Sequence, residues 1–168
     1  PVRIGNGAAS HRQLDVFGEI VLSLATYHRF HGPLSKEAWD LVTMVADLAA
    51  ASWHLPDNGM WEVRGQQQHF VSSKIMCWVA LDRAAKLGEA HDKTGKIAAW
   101  RAAAEEIHAD ILTNGWSDTK QAFVQAYGTD ALDASALLIP FVGFLPPDDP
   151  RVRSTVQAVQ RELADGPF

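Results

Sequence analysis

The chain has 168 residues, of which 47% are hydrophobic and 21% charged, a composition typical of a folded globular domain and not of a disordered segment. Its net charge is -5 and no run of Lys and Arg occurs, which argues against nucleic-acid binding and against an anionic membrane surface as partner. No apolar stretch reaches the roughly 20 residues of a membrane-spanning helix. The first residues carry no apolar leader, so the sequence predicts a cytoplasmic protein.

Helical periodicity dominates the first half of the chain. Apolar residues spaced by three and four predict a first helix over residues 13–29, which Gly32 and Pro33 end. Ser35 is the predicted N-cap of a second helix that continues to about His54. The sequence Pro-Asp-Asn-Gly at positions 56–59 predicts a turn.

The second half continues the helical pattern. A third helix is predicted from near His69, apolar on most sides and therefore buried on more than one face. A fourth contains the regular apolar spacing from Ile97 to Ile111, and a loop with a short extended piece at 122–127 follows. A fifth, over 133–141, and a sixth, capped by Asp149, complete six helices. Short connections predict antiparallel αα-hairpins and a single helical unit over 1–168.

The loop over residues 56–65 is the longest polar, aperiodic segment between two helices in the first half. Glu62 follows Trp61 in this loop, and a carboxyl beside a large apolar ring can keep its proton at neutral pH because desolvation disfavours the charged form. Glycosidases make their general acid in this way. The alternative is structural: a packed ring beside a solvated charge.

Six tryptophans are many for this length, and sugar rings stack on such aromatic faces. Trp39, Trp53, Trp78 and Trp100 lie in helical register and are predicted to be core residues, which leaves Trp61 and Trp116 for a ligand. The single cysteine, Cys77, lies in an apolar run and is predicted to be a small buried hydrophobe. The seven histidines form no zinc-binding pattern, so the sequence predicts neither a metal nor an organic cofactor.

Five stretches in order resemble the bacterial branch of glycoside hydrolase family 15, the glucoamylase and trehalase-like enzymes. They are RIGNGAASHRQLDVFGE (3–19), PDNGMWEVRG (56–65), HFVSSKIMCWVALDRA (69–84), AFVQAYGTDALDASALL (122–138) and GFLPPDDPRV (143–152). The resemblance covers essentially the whole chain. Each motif alone is moderately specific, and five in the correct order make chance a poor explanation.

The resemblance implies an all-α fold, with αα-hairpins forming about half of an (α/α)6 barrel. It also implies hydrolysis of α-glucosidic bonds, in trehalose or α-gluco-oligosaccharides, with inversion at the anomeric carbon. In the family, the Glu of the Gly-hydrophobic-Trp-Glu motif is the general acid, and this position is Glu62 here. The general base comes from a later hairpin, outside the matched segment. The chain therefore resembles an excised or incomplete part of such an enzyme.

The matched motifs also contain candidate substrate-binding residues. Gln13 and Asp15 resemble polar residues near the substrate mouth, although a charge in the first turn of a helix would explain Asp15 equally well. Arg64 is a candidate to orient Glu62 or to meet a sugar hydroxyl, and Tyr127 is a candidate ligand contact. Lys74 and Asp133 are candidates either for buried partners in the same polar network or for simple inter-helix ion pairs, of which the ion pairs are favoured. His11 stands where the family usually has Gln, which puts one polar sugar contact in doubt.

Two alternatives belong to other functional classes. The chain could be a non-catalytic helical module for sugar binding or protein association, because half a barrel exposes surfaces that a complete barrel buries. Its partners would then be the remainder of a catalytic domain or a second copy. A helical enzyme of unrelated chemistry, such as a lyase that uses Glu62 or a histidine, is the third interpretation.

Overall fold

The computed structural model describes residues 11–91 and 94–164, and it is predominantly helical, as predicted. The start of the motif at 3–19 and the last residues, 165–168, lie outside these ranges. The described helices are α1 (Asp15–His31), α2 (Lys36–Ser52), α3 (Val71–Ala90), α4 (Ile97–Asn114), α5 (Leu138–Phe141) and α6 (Pro150–Leu163). A two-residue strand β1 (Trp116–Ser117) pairs antiparallel with β2 (Ala122–Phe123).

The predicted helix ends are confirmed by their capping hydrogen bonds. The Ser35 hydroxyl accepts a hydrogen bond from the Ala38 amide at 3.2 Å, which satisfies one of the free amides at the start of α2. Asp149 accepts from the Arg151 amide at 2.8 Å, and Pro150 follows at the first helical position. Gly32 ends α1 with a φ of 92°.

Helix α3 forms the centre of the molecule. Every residue from Val71 to Cys77 is buried, because α1, α2 and α4 all pack against this helix. The prediction of a helix buried on more than one face is confirmed, and so is the burial of Cys77. Burial raises the pKa of the Cys77 thiol to about 12, so it is an inert core residue.

Three details differ from the sequence prediction. The predicted fifth helix is a 3-10 turn (Ala134–Leu137) followed by a single α-helical turn, and Gly143, with a φ of 73°, follows the C-cap Val142. The extended piece near 122 pairs as a strand with β1, which the sequence did not predict. Among the tryptophans predicted as core, Trp100 is buried, whereas Trp39, Trp53 and Trp78 are half-buried.

The exposed large apolar side chains are unevenly distributed over the fold. They lie on α1, on α2, on the segment 134–141, on α6 and at Trp61. Among the described residues, α3 and α4 carry none. No described helix is long and apolar enough to cross a membrane.

Candidate functional site

The loop between α2 and α3 is anchored by Asp57, which is completely buried. One of its carboxylate oxygens accepts hydrogen bonds from the Leu14 amide at 3.0 Å and from the Ser73 hydroxyl at 2.8 Å. Its backbone exchanges two hydrogen bonds of 2.9 Å with Gln68. Asp57 therefore joins both arms of the loop to the first turns of α1 and α3.

Asn58 closes the loop from inside. Its side-chain oxygen accepts hydrogen bonds from the Arg12 backbone amide at 3.2 Å and from the Gln67 side-chain Nε2 at 3.1 Å, and its NH2 group donates to the Val63 carbonyl at 3.0 Å. Gly59 follows with a φ of 67°, and a Cβ there would lie 2.8 Å from the Phe70 ring. Only glycine fits this position without strain.

Glu62 lies at the tip of this loop with an exposed side chain. Its φ is 49°, in the left-handed region that residues other than glycine rarely adopt. Its amide donates to the Gly59 carbonyl at 3.1 Å, which holds the turn. The described residues therefore do not desolvate this carboxyl, although the loop lies against the amino end of α1.

Trp61 is held in place while most of its ring stays accessible. It is 62% exposed, and its indole nitrogen donates to Asp133 at 2.9 Å. Asp133 also accepts from Gln125 at 2.9 Å and from the Ser135 amide at 2.7 Å. Burial raises the pKa of Asp133, but these hydrogen bonds favour the carboxylate more strongly, so its pKa lies below the usual value. The predicted ion pair of Asp133 is wrong: its partners are neutral donors.

An open apolar groove adjoins Trp61. Its volume is about 470 Å³, and seven residues line it: Met60, Trp61, Ala134, Ser135, Leu137, Leu138 and Phe141. Phe141 is 85% exposed at the far end. The sequence prediction that Trp61 is available to a ligand agrees with this geometry.

The amino end of α1 lies beside the anchored loop. Gln13 is half-buried, and Asp15 is a half-buried acid in the first helical turn. Burial raises the pKa of Asp15, and the nearby carboxylates of Asp57 and Glu19 raise it further. Within residues 11–91 and 94–164, one carboxylate oxygen each of Asp15 and Asp57 and the His11 Nδ1 are buried without a hydrogen-bond partner. Buried polar atoms of this kind are usually satisfied by a water or a ligand.

The remaining candidates lie in other surroundings. Arg64 is exposed and forms no ion pair with Glu62. Tyr127 donates its hydroxyl proton to Asp110 at 2.8 Å and stacks on His69, so it lines a different cavity from Trp61. The predicted ion pair of Lys74 is also wrong. This buried ammonium donates to the backbone carbonyls of Trp53 and Leu55 instead.

The two residues that anchor the site are not evident from the sequence. The local pattern at Asp57 and Asn58 indicates only a turn, because Asp and Asn are common in turns. Their burial depends on α1 and α3, which are distant in sequence, so no local pattern could have shown it. The one sequence feature that points to a special role for these two residues is the glycine that follows them, Gly59.

The comparisons with known proteins agree with the family resemblance. The model of the glycosyl hydrolases family 15 matches residues 1–168. A trehalase of Mycobacterium tuberculosis is 49% identical over 165 residues, which are 98% of this chain and 24% of that protein. A trehalase of Thermoplasma acidophilum is 34% identical over 163 residues, which are 97% of this chain and 28% of that protein.

The solved structures that match are glycosidases. A wild-type glycosidase superposes with a TM-score of 0.82 at 26% identity, over 97% of this chain and 43% of the glycosidase. A glycosidase in complex with glucose gives a TM-score of 0.83 at 25% identity, with the same coverage. These neighbours have the (α/α)6 barrel fold, and the described helices form part of such a barrel, as predicted. The chain spans about a quarter of the length of the curated relatives that it matches. It belongs to the glycosyl hydrolases family 15.

Proposed function

We propose that this chain carries the general acid, Glu62, of a glycoside hydrolase that cleaves α-glucosidic bonds. The observation that carries the proposal is the position of Glu62 at the strained tip of a loop fastened by the buried Asp57 and Asn58. Holding a residue other than glycine in the left-handed backbone region costs about 1–3 kcal/mol. Such a conformation persists where the surrounding structure fixes it, which is common at active sites. The curated relatives described above are named trehalases, which favours trehalose as the substrate, with α-gluco-oligosaccharides as the alternative.

The proposed reaction is an inverting hydrolysis. Glu62 gives its proton to the glycosidic oxygen as the bond from that oxygen to the anomeric carbon breaks. A water attacks the anomeric carbon from the opposite face and loses its proton to a general base. We place that base outside these 168 residues, roughly 6.5–9.5 Å from Glu62. The reaction consumes one water and needs neither a metal nor an organic cofactor.

The substrate-binding residues follow from their positions around the loop. Trp61 offers an accessible ring beside the groove, and Gln13 and Asp15 lie at the end of α1 that Asp57 ties to the loop. The unpartnered oxygen of Asp15 could accept a hydrogen bond from a sugar hydroxyl. Arg64 remains a candidate for a sugar hydroxyl. A substrate contact at Tyr127 and a cytoplasmic location remain predictions from the sequence.

Glu62 needs shielding from water that the described residues do not provide. In the proposed enzyme, the bound sugar and the rest of the full-length protein cover the loop and exclude water from it. Excluding water strengthens the electrostatic interactions of an acid with its substrate.

The test is Glu62→Gln in the full-length protein, assayed for glucose release from trehalose. We expect turnover to fall by about 10²–10⁴-fold, the usual contribution of a general acid. The matched control is Glu106→Gln on α4, an exposed glutamate that should leave the rate unchanged. Turnover at the wild-type rate in the Glu62 variant would remove the acid assignment.

A second substrate distinguishes the loss of proton donation in the Glu62→Gln variant from other effects of the substitution. α-Glucosyl fluoride has a leaving group that needs no protonation, so the Glu62→Gln variant should hydrolyse it much closer to the wild-type rate than it hydrolyses trehalose. Proton NMR of the glucose first released from α-glucosyl fluoride should show the β-anomer if the reaction inverts. Initial release of α-glucose from the fluoride would contradict the inverting mechanism.

A further inference from the structure

A second cavity lies between the carboxyl ends of α2 and α4 and the start of α3. We call it the Lys74 cavity. Its volume is about 280 Å³, and seven residues line it: Trp53, His54, His69, Lys74, Asp110, Asn114 and Tyr127. It shares no lining residue with the groove at Trp61. Aromatic and polar side chains from four separate segments of the chain converge here, which is typical of a binding pocket.

Lys74 provides a fixed hydrogen-bond donor in the wall of this cavity. The residue is 1% exposed, and its ammonium group donates to the carbonyls of Trp53 and, at 2.6 Å, of Leu55. These carbonyls come from the end of α2 and the residues after it, where no helical partner is available. An ammonium has three protons, so one remains for an acceptor in the cavity.

Asp110 provides a fixed acceptor in the same cavity. One of its oxygens accepts from the Tyr127 hydroxyl at 2.8 Å and the other from the Asn114 side chain at 2.8 Å. Each carboxylate oxygen can accept a further hydrogen bond. The carboxylate is therefore held in one orientation while it keeps capacity for a ligand.

The opposite charges of Lys74 and Asp110 select a neutral ligand. An anion would be attracted by Lys74 but repelled by Asp110, and a cation would meet the reverse pattern. With one carboxylate in its lining, the cavity lacks the several oxygen ligands that a divalent metal prefers. A group that both donates and accepts hydrogen bonds satisfies both residues, and hydroxyl groups do so.

The aromatic side chains determine the shape of that ligand. The rings of His69 and Tyr127 stack with centroids 5.8 Å apart at an interplanar angle of 17°, and both residues line the cavity. Trp53 provides another aromatic surface in the lining. We propose that the Lys74 cavity binds one neutral pyranose unit, stacked on an aromatic face and hydrogen-bonded by Lys74, Asp110 and Asn114.

The test measures binding of D-glucose to the full-length protein by isothermal titration calorimetry. We chose this probe because it is neutral and because the proposed function makes it the product. Trp53→Ala and Asn114→Leu each remove lining groups, and Asn114 is exposed, so its replacement should not disturb folding. Each variant should weaken one saturable binding event by about tenfold or more. Trp61→Ala is the matched control and should leave that event unchanged.

The other outcomes overturn the proposal. Unchanged glucose binding in Trp53→Ala and Asn114→Leu, loss of all binding in Trp61→Ala, or no saturable binding in the wild type would each do so. D-Glucuronate has the same ring and a negative charge, so it should bind several-fold more weakly; equal binding would refute the charge argument. Because catalysis is not the readout, failure of the hydrolase proposal would leave these results interpretable.

Discussion

At the scale of single residues, Asp15 shows how a site can work against the stability of the fold. Burial and the neighbouring carboxylates raise its pKa above the value of about 3.9 expected in the unfolded chain. Between the unfolded and the folded pKa, the folded state holds more protons than the unfolded state. The free energy of unfolding therefore falls as the pH rises through this window, and the full destabilisation by Asp15 is present above its folded pKa.

We therefore expect Asp15→Asn to raise the free energy of unfolding at pH 7, with a gain that disappears as the pH falls below about 3.9. Urea denaturation of the full-length protein at several pH values measures this difference. Glu37→Gln is the control, because Glu37 is an exposed acid in the first turn of α2 and its loss should give no such gain. A gain that persists in acid would show that charge is not the cause.

The same residues show what a sequence can predict at a site. The sequence predicts roles for Glu62 and Trp61, because adjacent residue types and a family motif mark them, and these roles stay predictions. Asp57, Asn58 and Lys74 could not be assigned to their partners, because those partners, which are mostly backbone atoms, are brought together only by folding. The predicted ion pair of Lys74 is wrong because its partners are backbone carbonyls, which have no sequence signature. That of Asp133 is wrong because neutral donors, among them the indole of Trp61, satisfy its carboxylate.

At the scale of elements, the packing of α1 against α3 depends on Gly18. A Cβ at this position would lie 2.7 Å from the terminal carbon of Met76, and it would also clash with the backbone carbonyl of that residue. The backbone of α3 cannot move without disturbing the core around it, because α3 is buried on most sides.

Gly18→Ala should consequently destabilise the fold by about 1–3 kcal/mol, although alanine is the better helix former. Gly95→Ala is the matched control, since a Cβ there meets nothing within 4 Å. Thermal unfolding of both variants of the full-length protein measures the effect. Equal midpoints for the two variants would show that α1 can move away from α3 at little cost.

Helices were predicted correctly where the sequence contains a helical periodicity of apolar residues or a capping residue. Ser35 and Asp149 marked two helix starts correctly, and the spacing from Ile97 to Ile111 marked α4. The strands β1 and β2 were harder to predict from the sequence, because a strand of two residues is too short to show an alternating apolar pattern. Near Pro140 the chain has a 3-10 turn and one helical turn in place of a regular helix.

At the scale of the whole molecule, most of the exposed large apolar residues fall into two groups along the chain. One group contains Tyr27 and Phe30 of α1 with Leu41, Met44 and Leu48 of α2, and the other contains Leu137, Phe141 and Leu163. Among the described residues, helices α3 and α4 expose no large apolar side chain. We expect the two groups to lie at the open edges of a partial barrel, where the remaining helices of a complete barrel would cover them.

We expect the isolated 168-residue chain to self-associate through these edges, because exposed apolar patches of this kind drive association. Sedimentation velocity over a range of concentrations measures it. Met44→Lys and Phe141→Lys together should shift the distribution towards monomer, whereas Ala102→Lys on the exposed face of α4 should not. A stable monomer in the unmodified chain would contradict the expectation.

The backbone conformation of Glu62 also limits which amino acids evolution can place at that position. With φ at 49°, β-branched side chains such as valine or threonine are sterically disfavoured, whereas asparagine, aspartate and glycine are tolerated. Descendants that lose the catalytic role proposed for Glu62 should therefore drift first towards those three residues. The geometry of the turn would restrict variation at this position even after selection for chemistry had ended.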